Sequence, residues 1–146
     1  MALSPLAKLL RLPPAERRLL IRSLRLVAQA RLALWLLPFN VARRWLARSA
    51  RKASRLDTSV ERIGWAISVA KDFVPRANCL PQGLAAESLL IRGGHPVELR
   101  IGVVKDARGR LEAHMWVESS GTLVVGDLTQ GLSTYTPLPP LPGVRH

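Results

Sequence analysis

The chain has 146 residues, enough for one domain with a single buried core. Its 48% apolar and 22% charged content excludes a disordered chain, and its lone cysteine, Cys79, excludes an internal disulfide and fits a reducing cytoplasm. The formal net charge of +12 is lopsided, because residues 1–56 carry 13 Lys/Arg against Glu16 alone, whereas residues 57–146 carry nine of each sign. No secretory h-region with a cleavage site is legible. The most apolar stretch, Ile21 to Leu37, contains Arg22, Arg25 and Arg31. Each would cost about 2.5–3.5 kcal/mol near a bilayer centre, so no membrane span is expected and the cytoplasm is the expected location.

In chain order, Met1 to Leu12 reads as a short basic arm. Pro13-Pro14-Ala15-Glu16 opens a helix, with proline tolerated in its first turn and an acid near the positive dipole end. That helix runs to Leu37, where Pro38 breaks it. It sets Arg18, Arg22 and Arg25 on one face, with Leu19, Leu20, Leu24, Val27, Leu34 and Trp35 on others. A second basic helix, about Asn40 to Ser54, is expected to pack through Val41, Trp45 and Leu46. Thr58 to Glu61 has capping-box spacing and opens a third helix that ends before Pro75. Asn78 is the expected N-cap of a fourth helix, with Pro81 in its first turn and Gly93-Gly94 at its end.

Three runs of period two follow: Val97 to Val104, Leu111 to Glu118 and Thr122 to Asp127, joined by turns at Asp106–Gly109 and Ser120-Gly121. These predict an antiparallel meander after a helix, an α+β fold. The proline-rich tail from Thr136 is expected to be irregular.

Cys79 follows the expected N-cap directly, where the helix dipole and free N–H groups favour thiolate over thiol and stabilise a developing oxyanion. A lone cysteine is more often a small buried hydrophobe. His114 lies mid-strand and shares a face with Trp116. If the Cys79 helix covers that face, the imidazole takes the thiol proton and later protonates a leaving amine. Asp127 comes thirteen residues later. A tight hairpin sets it opposite His114, where a carboxylate fixes the tautomer and stabilises the imidazolium. Helix-start Cys, strand His and neighbouring-strand Asp form the arrangement of a papain- or transglutaminase-like thiol hydrolase.

Gln82, one turn beyond Cys79, and Trp116 are candidate cleft-lining residues. His95 sits in a turn and is expected to be solvated, and His146 is terminal. A zinc site from Cys79, His95 and His114 lacks both a Cys pair and a fourth ligand. There is no Gly-rich phosphate loop, so nothing argues for nucleotide binding, and neither a cofactor nor a nucleic-acid partner is expected.

The segments Cys79-Leu80, Leu89-Leu90-Ile91-Arg92-Gly93-Gly94-His95-Pro96-Val97, Ala113-His114-Met115-Trp116-Val117-Glu118 and Gly126-Asp127 resemble the lasso-peptide leader peptidases, the transglutaminase-like peptidase component of bacterial lasso-peptide biosynthesis. The resemblance covers about Asp57 to Tyr135. It departs at Met115, where the family usually has alanine. It implies Cys79 as nucleophile, His114 as base and Asp127 as orienter, acting by thioester chemistry on a ribosomally made precursor peptide. It also implies a separate winged-helix-like leader-recognition protein and an ATP-dependent cyclase as partners, with no cofactor bound here. The expected organisation is a basic helical region at 1–56, a peptidase core at 57–135 and a tail at 136–146. Two other readings stay open. One is a transglutaminase-like acyltransferase or amidase with the same triad. The other is a non-catalytic protein whose basic helices dock on anionic lipid or nucleic acid.

Overall fold

Prolines bracket the longest helix, and glycine closes the last one. The computed structural model describes residues 5–74, 78–105, 107–126 and 136–137. Within the N-terminal basic arm, Pro5–Leu10 forms a short helix, α1. Helix α2 (Pro14–Leu36) starts after Pro13 and stops at Leu37, immediately before Pro38. Helix α3 spans Phe39–Lys52 and α4 spans Val60–Ala70, followed by a 3-10 turn at Lys71–Phe73. Helix α5 (Cys79–Arg92) ends with Gly94 at φ 72°. There His95 N–H donates to Leu90 O at 2.9 Å and Gly94 N–H to Ile91 O at 3.1 Å, the paired closure that lets a left-handed glycine satisfy the last carbonyls.

Strands β1 (Glu98–Lys105), β2 (Leu111–Ser119) and β3 (Thr122–Val125) form the expected meander. The β2–β3 hairpin turns through Ser120 (φ 50°) and Gly121 (φ 80°), the double positive φ of a tight two-residue turn. Thr136 and Pro137, placed in an irregular tail by the sequence, instead form β4 against Gly102 and Val103 of β1. The sheet order is β3-β2-β1-β4, antiparallel throughout. The architecture is α+β, with the helices on one face of the sheet.

The helices set apart by charge belong to the same core as the rest. Leu19, Leu20, Val27, Ala30 and Leu46 join Ile63, Ile67, Leu84, Leu89, Leu99, Met115 and Val117 in one buried cluster. Helix α3 does not pack through the face expected of it. Val41 and Trp45 are exposed, and the buried face is Ala42, Arg43, Leu46, Ala47 and Ala50. Arg43 is tolerated there because its guanidinium forks onto Glu87 of α5, Nη2 to Oε2 at 2.8 Å and Nε to Oε1 at 3.1 Å. The start of α4 is also one residue later than expected. Ser59, not Thr58, is the cap, and its hydroxyl accepts from Arg62 N–H at 3.3 Å.

Candidate functional site

The first turn of α5 carries the thiol of the chain. Asn78 leaves the helix in an extended conformation, and its Oδ1 accepts from Leu80 N–H at 3.3 Å. Cys79 is therefore the first helical residue. It is half-buried, packed at the edge of the core cluster, with a free thiol. The supply of oxyanion donors is narrower than expected. Leu80 N–H is taken by the cap, Pro81 has none, and Gln82 N–H turns to Asn78 O at 3.5 Å. Among the described residues that leaves the Cys79 N–H uncommitted in this turn. The Gln82 side chain is half-buried one turn along.

His114 lies in the middle of β2 opposite Gly102 of β1, so no side chain stands beside the ring on that strand. The residue is half-buried and its Nε2 is shut off from solvent. Trp116 shares its face and is buried, with indole Nε1–H donating to Glu118 Oε1 at 3.2 Å. The helix covers the other face. A Cβ at Gly83 of α5 would meet Met115 Sδ at 2.9 Å and Val117 Cγ2 at 3.7 Å, so Met115 and Val117 point under the helix. Strand alternation then turns His114 and Trp116 the other way. The expectation that α5 covers the His114 face is corrected. Alternation separates two faces of a strand but does not say which one a helix chooses. Among the described residues no hydrogen bond joins the Cys79 thiol to the His114 ring.

Asp127 lies outside the described residues. The ladder leading toward it holds the expected register at Ser119↔Thr122 and Glu118↔Leu123. It then slips by one residue at a bulge, so that Val117 pairs with Val125. Gly126 (φ 131°) runs so close to Trp116 that a Cβ there would lie 2.5 Å from the Trp116 Cβ, which only glycine accommodates.

His95, expected in solvent, is half-buried and bonded. Its Nε2 lies 2.7 Å from Thr58 O, and since a carbonyl only accepts, Nε2 carries the proton. Cys79, His95 and His114 do not gather, and among the described residues no group of three His, Cys, Asp or Glu is placed to hold a metal ion. No described helix is long and apolar enough to cross a membrane.

A family model described as the transglutaminase-like superfamily matches residues 23–139, which is most of the chain and includes α3 and most of α2. No curated protein and no solved structure matches it.

Proposed function

Because this chain belongs to the transglutaminase-like superfamily, we propose that it is a cysteine hydrolase that removes the leader from a ribosomally made lasso-peptide precursor. The observation that carries the reading is Cys79 itself. A half-buried thiol is the first residue of a 14-residue helix, beside its own uncommitted backbone N–H. In this reading the Cys79 thiolate attacks the scissile carbonyl, and the Cys79 N–H holds the oxyanion. His114 passes the thiol proton to the leaving amine, Asp127 orients the ring, and water hydrolyses the thioester. The reading requires the His114 ring and the thiol to meet in the substrate complex. Catalytic contacts often tighten only there. The precursor is presented by a separate leader-recognition protein, and the freed core amine passes to an ATP-dependent cyclase.

A second reading draws on the pleat. With Met115 and Val117 beneath α5, the thiol and imidazole have different surroundings, which suits a binding module in which Cys79 only packs. One experiment separates the two. Precursor and recognition protein are incubated with wild-type chain, Cys79→Ala, His114→Ala and Asp127→Asn, and the products are read by mass spectrometry. The hydrolase reading expects leader release by wild type alone, near-complete loss in Cys79→Ala and His114→Ala, and a drop of up to ~10⁴-fold in Asp127→Asn. Precursor binding without cleavage by the wild-type chain favours the module, and turnover surviving in Cys79→Ala removes that thiol from the chemistry. A product carrying an added amine in place of the acid marks an acyltransferase.

A further inference from the structure

At the far end of α5, about 20 Å from Cys79 at 1.5 Å per residue, the chain builds a cationic pocket. The segment joining α3 to α4 is fastened there. Leu56 N–H donates to Arg92 O at 3.0 Å, and Arg92 Nη2 donates to Ser54 O at 3.0 Å. Between this segment and the first turns of α2 lies a cavity of about 270 Å³, whose polar lining includes Arg18, Arg22, Arg55, Asp57, Thr58 and Arg62.

The charges of this lining do not balance. Arg62 is tied to Glu16. Arg18, Arg22 and Arg55 make no ion pair or hydrogen bond among the described residues. With Glu16 set against Arg62 and Asp57 against a second arginine, two positive charges remain. The backbone contributes both signs, since the negative C-terminal end of α5 lies here with the Arg55 guanidinium against Gly94. Ala15 in the first turn of α2 lines the cavity, and Asp57 and Thr58 lead into the Ser59 cap of α4, so both helices turn their positive ends toward it. Burial first, and the Arg22 charge second, hold the neighbouring Arg92 guanidinium below its ordinary value. The Thr58 hydroxyl is buried without a hydrogen-bond partner, although the Thr58 carbonyl is satisfied by His95. Native proteins rarely leave such a group unmatched among the described residues.

We propose that this pocket binds a compact phosphoryl dianion, with Arg18, Arg22 and Arg55 forked onto its oxygens. A single carboxylate balances only one of the two excess charges. Among the described residues no aromatic side chain lines the cavity to stack a base, so the phosphoryl group itself is what the site recognises. Its source is either a free phosphate or phosphate ester, or a lipid headgroup. The site is remote from Cys79 and stands independently of the hydrolase reading.

Thermal unfolding and calorimetry of the full chain test it, using inorganic phosphate, with acetate as control at matched ionic strength. Phosphate is expected to bind saturably and raise the unfolding temperature, acetate not. The double variant Arg18→Gln/Arg22→Gln should fold at least as stably without phosphate, since it relieves repulsion, and lose about tenfold or more in phosphate affinity. Vesicles of phosphatidylcholine with and without phosphatidic acid decide the source. Sedimentation with phosphatidic acid that requires Arg18 and Arg22 assigns a headgroup, and saturable phosphate binding without sedimentation assigns a free phosphate. Phosphate and acetate acting alike, binding unchanged in the double variant, or preference for a glutamate-rich peptide over phosphate overturns the proposal.

Discussion

The two flanks of α5 are held by different physics. Toward the helices, the contact turns on charge. Arg43 and Glu87 are both buried and satisfy each other through parallel hydrogen bonds, amid alanines such as Ala47 and Ala50 of α3 that let the helices approach. Toward the sheet, the contact turns on space. Gly83 leaves room for Met115 and Val117, and Gly64 on neighbouring α4 lies against the Val124 carbonyl of β3. A buried ion pair is costly to break but adds little net stability, because desolvation offsets the attraction. Its service is to fix where α3 sits along α5. A glycine contact fixes how close helix and sheet come, and its cost under substitution depends on what the new methyl meets.

The largest loss is expected for Glu87→Ala, which strands a buried guanidinium and should cost about 3–5 kcal/mol in denaturant unfolding. The double variant Arg43→Met/Glu87→Leu should recover most of that loss. A single variant as stable as wild type would mean that the charged flank does no positioning. On the sheet flank, Gly64→Ala puts a Cβ 2.7 Å from a backbone carbonyl that cannot rotate away, and about 1–3 kcal/mol should be lost. Ser59→Ala should cost about 1 kcal/mol by removing the α4 cap, and Thr58→Ala should show no capping loss. The smallest change is expected for Gly83→Ala. The nearest atom is the Met115 sulfur at 2.9 Å, on a flexible side chain. A helix-propensity gain of about 1 kcal/mol works against the crowding. Unfolding midpoints that rank Gly83→Ala below Gly64→Ala would refute the account of the sheet flank.

Local chemistry was legible in the sequence because it acts over a few residues. Pro13-Pro14 and Pro38 bracket α2, Asn78 caps α5, Gly93-Gly94 closes it, and alternation with Ser120-Gly121 sets the meander. The start of the helix that carries Cys79 was readable for the same reason. What contacts across the chain decide was not legible. Charge sets α2 and α3 apart by composition alone; which residues of the rest they bury against only the tertiary structure decides, because amphipathic helices bury apolar faces whatever sign the exposed ones carry. An arginine on a helix reads as solvated until its partner is known, and Glu87 is 44 residues from Arg43. Thr58 and Ser59 are both competent caps, and only the fastening of residues 54–58 to α5 selects the second. Strand periodicity made His114 and Trp116 companions, but the tertiary structure put Met115 and Val117 under the helix. The pleat offers two equivalent faces, and the volume beside Gly83 admits the sulfur of one.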